Sequence, residues 1–245
     1  MLSEQLTIVI PTKNEQGYIG RLLHDLIQQY DITGTKVIVA DCSTDATPDI
    51  VENFSDRYSD SLDITLVNGG PVSTARNNGA KLAKTDFLLF IDADVRLPNP
   101  FHLTEALIEG KKSMVHGKKA LVTSPLASYA QDWKCSLAYN IYNWVHRILV
   151  RKYPFAIGAF LLVDRNSFEQ YGRFDELTDN SEDFLFSQHY TAKQFTITEK
   201  KIQLDDRRFK KIGYFGTIKH LVVNFYKFLI GDTQHFRRRS TYWGS

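Results

Sequence analysis

The chain has 245 residues and a formal net charge of +2, and this length suits one large domain or two small ones. Hydrophobic residues make up 43% and charged residues 24%, so the chain can bury an ordinary core and is not disordered. Two cysteines are too few for a disulfide framework or a zinc site, and no run reaches the roughly 18 apolar residues of a spanning helix.

The first half of the chain alternates strand-like runs with helices. Short apolar runs, which predict buried strands, cover 6–10, 37–40, 64–67 and 87–91. Helices are predicted between them, over 19–30, 47–58 and 73–83. This alternation is typical of βαβ units, so the sequence predicts an α/β, Rossmann-like fold with a mostly parallel central sheet flanked by helices.

The second half is more mixed. Helices are predicted over 98–110, 127–150, 182–192 and 213–230, with a short one ending at 171–172. Strands are predicted over 114–123, 160–163 and 195–204, the first isolated and the last exposed. The segment 127–150 is rich in aromatic residues, which we interpret as core or interface side chains: Trp133, Tyr139, Tyr142 and Trp144.

The stretch from Phe87 to Asp94, FLLFIDAD, ends a buried apolar run with Asp92 and Asp94. Ligands bind beyond the carboxyl ends of strands in open parallel sheets. Two carboxylates at such an end repel each other unless a cation lies between them. Mg²⁺ or Mn²⁺, shared with a phosphate, fits oxygen ligands of this kind. The alternative is a solvated Asp pair that opens a turn before Pro98.

Other strand ends carry distinctive residues that should gather at the same edge of the sheet. The segment 11–15 follows the first strand, Asp41 ends the second, and Arg76 lies in the helix before the fourth. The first strand is not followed by a Gly-rich phosphate loop. A metal and Arg76 would therefore have to hold any phosphate, since a guanidinium matches phosphate oxygens.

With these residues the chain resembles the family 2 glycosyltransferases of the GT-A fold, small non-processive type. The matching segments are IVIPTKNE (8–15), VIVADCSTDAT (37–47), ARNNGAKLAKTDFLLFIDADVRLP (75–98), GAFLLVDRNSFEQYGRFDE (158–176) and Glu182-Asp183. They occur in the family's order and spacing over most of 6–185. The resemblance implies a GT-A fold and a nucleotide-diphosphate sugar donor.

The resemblance also implies roles for individual residues. Asp183 would be the catalytic base, and Asp94 with Asp92 would meet a divalent metal, Mn²⁺ or Mg²⁺. The nucleotide-sugar would contact Pro11, Thr12, Asn14, Glu15, Asp41, Arg76, Asp92 and Ala93. The acceptor or phosphate side would include Gly158, Ala159, Glu182, Arg207 and Arg208.

The chain departs from the family pattern at three places. Ala40-Asp41-Cys42 stands where two acids and a Gly are usual, and Gly172-Arg173 stands where Gly-Gly is usual. The Gln-x-x-Arg-Trp signature of processive members is absent, and the segment 205–209 near that place resembles the Arg-Arg-Phe of small non-processive members. The first departure leaves open which nucleobase of the donor the protein recognises.

The chemistry of glycosyl transfer matches these residue types. The leaving diphosphate must be neutralised, which a metal and Arg76 can do, and a carboxylate must accept the acceptor's proton. A single base opposite the leaving group gives inversion. The alternative for Glu182-Asp183 is that both only complement a helix dipole. Alternative functions are a nucleotide-sugar-binding protein that has lost transfer and a sugar-1-phosphate nucleotidyltransferase.

The charge is unevenly distributed. Residues 200–245 hold 11 Lys and Arg against 3 Asp and Glu, whereas 1–199 carries a net charge of −6. We predict a GT-A domain over 1–212, with a nucleotide-binding half to about 98 and an acceptor half from about 99, followed by a basic amphipathic helix and tail over 213–245. The helix either packs on the domain or lies on an anionic membrane.

These features set the expected partners and location. We expect a nucleotide-sugar donor, a glycan or lipid-linked acceptor, and no nucleic acid. The first residues, Met1 to Gln5, lead directly into a strand and do not form a signal sequence. We therefore expect a cytoplasmic protein, or one that is peripheral at the cytoplasmic membrane face.

Overall fold

A seven-stranded sheet lies at the centre of the computed structural model, which describes residues 1–117, 119–130, 132–178 and 181–237. Its order is β3-β2-β1-β4-β8-β6-β9, and a second sheet has the order β5-β10-β7. The strands are β1 (Leu6–Thr12), β2 (Thr35–Asp41), β3 (Leu62–Asn68), β4 (Phe87–Ile91), β5 (Val95–Arg96), β6 (Leu121–Thr123), β7 (Leu126–Ser128), β8 (Phe160–Asp164), β9 (Phe195–Ile197) and β10 (Ile202–Leu204).

Helices cover both faces of the large sheet. A short 3₁₀ helix, Leu2–Glu4, precedes β1. The α-helices are α1 (Ile19–Ile27), α2 (Thr47–Arg57), α3 (Val72–Ala80), α4 (His102–Gly117), α5 (Trp133–Leu149), α6 (Arg165–Gln170), α7 (Glu182–Ser187), α8 (Arg207–Leu229) and α9 (Thr233–Arg237).

The first four strands are parallel, as the alternating pattern predicts, and β8 runs antiparallel to both of its neighbours. Every residue of β4 is buried, which explains the unbroken apolar run. Leu89 and Ile91 join the core on one face, whereas Leu88 and Phe90 join the core on the other. The parallel order carries the ends of β1, β2 and β4 to one edge.

Two strand predictions are wrong in detail. The residues 114–117 continue α4, so the predicted strand over 114–123 shrinks to β6, which lies inside the large sheet rather than alone. The predicted strand over 195–204 is two strands, β9 and β10, that belong to different sheets. A short apolar run does not by itself distinguish the end of a helix from a strand.

The long helix α5 buries one face and exposes the other. Tyr139 is buried, as the core interpretation predicts, and Tyr142 packs against the core. Trp133 and Trp144, in contrast, are 69% and 67% exposed. These two side chains therefore do not belong to the core.

The C-terminal segment begins earlier than the predicted helix and is broken. Helix α8 starts at Arg207, and Gly213 interrupts it with φ 72° and ψ 164°, a backbone conformation that glycine adopts readily. Phe225 and Phe228 pack on Tyr153, and the last basic residues of the predicted tail, Arg238 and Arg239, lie outside the described part of the chain. None of the described helices is long and apolar enough to cross a membrane. The division at 212/213 stays a prediction.

Candidate active site

The loops after β1 and β2 hold each other in place. Asp41 ends β2, and its carboxylate accepts hydrogen bonds from Thr12 Oγ1 at 2.7 Å and from Ser43 Oγ at 2.6 Å. The Ser43 backbone N–H adds a third bond at 3.0 Å. Pro11 lies inside β1 and pairs with Ala40, so the strand extends through it to Thr12. The predicted residues Pro11, Thr12 and Asp41 are therefore brought together.

Asn14 and Glu15 are fixed against the segment that precedes α2. Asn14 has φ 58°, in the left-handed region, and its N–H donates to Ser43 Oγ at 2.7 Å. The Thr44 N–H donates to Asn14 Oδ1 at 2.9 Å, and the Glu15 N–H donates to Thr47 Oγ1 at 2.9 Å. These bonds orient the Glu15 side chain toward the end of β4.

Arg76 lies at the centre of a buried ion-pair cluster. Its side chain is 2% exposed, and it donates from Nη1 to Glu182 Oε1 at 2.5 Å and from Nη2 to Asp92 Oδ1 at 2.9 Å. The guanidinium carbon lies 5.4 Å from the centre of the Phe174 ring. Burial lowers the pKa of Arg76, but the surrounding carboxylates outweigh this and raise it. Arg76 therefore stays charged.

Gly158 connects this cluster to Asp183. A Cβ atom on Gly158 would collide with the Arg76 guanidinium, so only glycine fits here without a shift. The Gly158 N–H donates to Asp183 Oδ2 at 2.5 Å, and the Phe184 N–H donates to Asp183 Oδ1 at 2.7 Å. Both carboxylate oxygens of Asp183 are thus oriented by backbone donors.

Burial raises the pKa of both acids at the start of α7. Burial, and then the neighbouring Asp183 charge, raises the pKa of Glu182 to about 7. Burial also raises the pKa of Asp183, although Arg76 and the Gly158 N–H act in the opposite direction. A carboxylate with a raised pKa accepts a proton more readily near neutral pH, which suits a general base.

A second arginine closes over the other acid of the Asp-x-Asp segment. Arg207 Nη1 and Nη2 each lie 2.9 Å from an oxygen of Glu15, and Nη2 lies 2.8 Å from Asp94 Oδ2. The guanidinium carbon lies 4.8 Å from the centre of the Tyr18 ring. Asp92 and Asp94 therefore pair with two different arginines. The side chain of Arg208 lies outside the described part of the structure.

The two small residues of the predicted site are buried. Ala93 is 3% exposed and Ala159 is 8% exposed. Ala93 shares the lining of a small cavity with Tyr18, Asp94 and Tyr129. Ala93 therefore lies beside Asp94 at this cavity, whereas Ala159 is part of the hydrophobic core.

Sequence reasoning missed several residues of the site. Ser43 accepts from Asn14, Tyr18 supports Arg207, and Phe174 covers Arg76. Ser43 and Tyr18 carry a detectable signal, since both lie within a few residues of a strand end. Phe174 carries none, because its contact with Arg76 joins residues that are far apart in the chain.

The carboxylates fit a metal only if a ligand shares it. No group of three or more His, Cys, Asp or Glu within the described ranges could hold a metal ion alone. Asp94 is held at a strand end and already faces a cationic group, Arg207. Its oxygens are hard ligands that suit Mg²⁺ or Mn²⁺, which usually binds through one or two carboxylates and the phosphates of a substrate. The residues therefore fit a metal bound together with a diphosphate.

The fold and the edge of carboxylates define an α/β protein whose candidate ligand site lies at the carboxyl ends of its parallel strands. The family model described as Glycosyl transferase family 2 matches residues 7–172, more than half of the chain. The chain belongs to this family, as the sequence motifs predict.

Two of the curated relatives each match a little more than a third of the chain. Poly(ribitol-phosphate) beta-N-acetylglucosaminyltransferase TarS of Staphylococcus aureus (strain Mu50 / ATCC 700699) is 36% identical over 93 residues, which is 37% of this chain and 16% of that protein. The 4,4'-diaponeurosporenoate glycosyltransferase of Staphylococcus aureus (strain USA300) is 37% identical over 90 residues, which is 37% of this chain and 24% of that protein. The matches therefore span a quarter or less of these longer relatives.

Solved structures share the fold over more of the chain. S. aureus TarS in complex with UDP-GlcNAc has a TM-score of 0.60 at 19% identity, over 82% of this chain and 58% of that one. Mannosyltransferase PcManGT from Pyrobaculum calidifontis, in complex with GDP-Man and Mn²⁺, has a TM-score of 0.63 at 19% identity, over 88% of this chain and 64% of that one. The predicted GT-A fold is confirmed.

Proposed function

We propose that the protein is an inverting glycosyltransferase that moves a sugar from a nucleotide-diphosphate sugar to an acceptor hydroxyl. The observation that carries the proposal is Asp183, whose two oxygens are oriented by backbone N–H groups beside the buried Arg76 cluster. A carboxylate that served only to complement a helix dipole would not need this second anchor at Gly158.

The donor lies, in this proposal, across the ends of β1, β2 and β4. Thr12, Asn14, Glu15 and Asp41 form the wall that would receive the nucleoside. Arg76 keeps Asp92 in place, and Arg207 offers a second guanidinium for the diphosphate once it leaves Glu15 and Asp94. The relatives named above include structures with UDP-GlcNAc and with GDP-Man, so both nucleotides are candidates.

A divalent ion, Mg²⁺ or Mn²⁺, held by Asp94 with Asp92 behind it, would supply positive charge to the leaving diphosphate. The residues of the chain perform the remaining tasks. Asp183 accepts the proton of the acceptor hydroxyl as the oxygen attacks the anomeric carbon, and the bond to the diphosphate breaks on the opposite face. A single base on one face and the leaving group on the other give inversion.

The acceptor side is formed by Gly158, Ala159, Glu182 and Asp183. The curated relatives carry names that refer to poly(ribitol-phosphate) and to 4,4'-diaponeurosporenoate. These names support a glycan or a lipid-linked acceptor for this chain. Contact of the basic C-terminal helix with an anionic membrane, at the cytoplasmic face, belongs to the same proposal, because such contact would bring a lipid-linked acceptor to the site.

Donor binding tests the proposal directly. Isothermal calorimetry and thermal shift with UDP-, GDP- and TDP-sugars, each with and without Mn²⁺, should identify one nucleotide that stabilises the protein and requires the metal. Lys13→Gln is the control for charge: it removes an exposed lysine from the loop after β1 and should bind the donor like the wild type. No binding of any nucleotide-sugar at millimolar concentration would overturn the proposal.

A further inference from the structure

Helix α5 carries an apolar stripe on its solvent-facing side. The stripe recurs every three or four residues, which places its members on one face of the helix. Trp133 and Trp144 are 69% and 67% exposed, and Ile141 is 55% exposed. The exposed members of the stripe are Trp133, Leu137, Ile141, Trp144, Val145 and Ile148.

This stripe is not the face that attaches α5 to the protein. The opposite face is buried through Cys135, Tyr139 and His146. Asn143 fastens the helix further, with bonds of 2.9 and 2.8 Å to the backbone of Leu126. A helix that is apolar on its exposed side as well as on its buried side presents a contiguous apolar surface, and such surfaces mark sites of interaction with another molecule or a membrane.

Within α5 and the segment that follows it, the charges have one sign, although Asp132 caps the start of the helix. The sequence has no Asp or Glu between Trp133 and Val163, and it has four Lys and Arg there: Lys134, Arg147, Arg151 and Lys152. All four are exposed. Tryptophan rings favour the boundary between water and lipid, and basic residues favour an anionic lipid surface. We infer that the exposed face of α5 docks on the surface of an anionic membrane.

Helix α5 is connected to the part of the site that contains Asp183, so docking on a membrane could serve the proposed reaction. The chain leaves α5 and reaches Gly158 within nine residues, and Phe155 on the way lies 5.6 Å from the Phe184 ring, next to Asp183. Helix α8 lies alongside, since Tyr214 Oη is 3.1 Å from Cys135 Sγ. The docked helix is therefore joined, through its buried residue His146, to the segment that carries Gly158 on the proposed acceptor side. The inference goes beyond the proposed transfer reaction, because docking does not require a donor.

Vesicle flotation of the full chain tests the inference. The probes are phosphatidylcholine vesicles and vesicles that also contain phosphatidylglycerol. The wild-type chain should float with the anionic vesicles and stay behind with the neutral ones. Trp133→Gln together with Trp144→Gln should lower partitioning by more than about tenfold, because two large apolar side chains leave the lipid.

Charge removal tests the electrostatic part separately. Arg147→Gln, Arg151→Gln and Lys152→Gln together should lower partitioning by up to about 100-fold, or about fivefold for each charge, and added salt should reduce the difference. Leu82→Gln with Phe101→Gln removes exposed apolar residues from α3's end and α4's start and is the matched control. Val222→Gln with Leu229→Gln removes exposed apolar side chains from α8 and measures how much of the partitioning into vesicles depends on that helix.

Three outcomes would overturn the inference. The first is a wild-type chain that does not float with either vesicle. The second is a Trp133→Gln, Trp144→Gln variant that floats like the wild type. The third is a concentration-dependent dimer, seen by analytical ultracentrifugation without lipid and lost in that variant, since the stripe would then be covered by a second copy. Circular dichroism confirms that each variant is folded.

Discussion

The two arginine clusters of the molecule hold the two acids of one Asp-x-Asp segment in different ways. Arg76 is 2% exposed and joins Asp92 to the buried Glu182, whereas Arg207 is 42% exposed and joins Asp94 to Glu15. Arg76 and Glu182 are buried between α3 and α7, although Asp92 is 28% exposed, whereas Arg207 lies at the edge of the sheet over acids that are 15% and 16% exposed. Asp92 is therefore part of the framework, and Asp94 is held by a side chain that can be replaced.

This difference indicates different roles for Asp92 and Asp94, although they are only two residues apart. A buried ion pair cannot exchange partners without leaving a charge unpaired in the interior. An exposed pair contributes little to stability and is easily exchanged for another cation. A ligand that brings its own cation can therefore compete with Arg207 but not with Arg76.

The largest effect should come from the base that the buried cluster positions. Asp183→Asn should lower the rate of transfer by about 10² to 10⁴, because the proton acceptor is lost, while donor affinity changes little. The measurement is single-turnover transfer with calorimetry of the donor. Glu182→Gln, which changes the neighbouring acid, is measured in the same way for comparison. An Asp183→Asn variant with near-normal turnover would show that another residue is the base.

The next largest effect is a difference in the free energy of unfolding between variants of Arg76 and variants of Arg207. Above pH 7, where Glu182 is ionised, Arg76→Met should lower the free energy of unfolding by about 3–5 kcal/mol, because Glu182 and Asp92 lose their buried cationic partner. Arg207→Met should lower it by no more than about 1 kcal/mol. Urea denaturation of both variants measures the difference. Equal losses would show that the two clusters do not differ as the structure indicates.

The raised pKa of Glu182 sharpens the comparison through pH. The folded protein keeps a proton up to about pH 7, whereas the unfolded chain releases it near the ordinary pKa of 4.5. The free energy of unfolding should therefore fall as pH rises between these values, by up to about 3 kcal/mol. Urea denaturation across this range should show the slope in the wild type. Glu182→Gln should be flatter, and an unchanged slope would contradict the assignment.

A smaller effect is expected at the open cluster. Asp94→Asn should weaken binding of the nucleotide-sugar in the presence of Mn²⁺ by about 10- to 100-fold, since even the loss of groups around metal ligands has effects of this size. Binding without metal should change little. Calorimetry with and without Mn²⁺ measures both, and a variant that binds donor and metal like the wild type would refute the role of Asp94.

The smallest effect concerns Arg207 itself. Arg207→Gln should raise the affinity of the donor-free protein for Mn²⁺ by up to about fivefold, because an exposed ion pair no longer competes at Asp94. Electron paramagnetic resonance of free Mn²⁺ gives the affinity. Lys210→Gln, which breaks a neighbouring exposed pair with Asp206, is the matched control. A lower affinity in Arg207→Gln would show that Arg207 does not compete.

The sequence was informative where burial and strand order decide the structure. The apolar runs of β1, β2 and β4 predicted the parallel sheet, and the rule for strand ends then placed Asp41, Asp92 and Asp94 at one edge. The partners of these acids could not be predicted, because Glu15 and Arg207 are 192 positions apart in the chain. For the tryptophans of α5 the sequence left core and interface open, since helical spacing does not show which apolar face the protein covers.

The contact of Arg207 with Glu15 and Asp94 has a consequence for the affinity of a ligand that needs Asp94. Only molecules in which the contact is open can receive that ligand, so its apparent dissociation constant equals the intrinsic constant divided by the open fraction. Salt shortens the range of the attraction between Arg207 and its two acids and so enlarges the open fraction. For donor binding, this gain opposes the loss that the same salt causes by screening the negatively charged donor from the rest of the site.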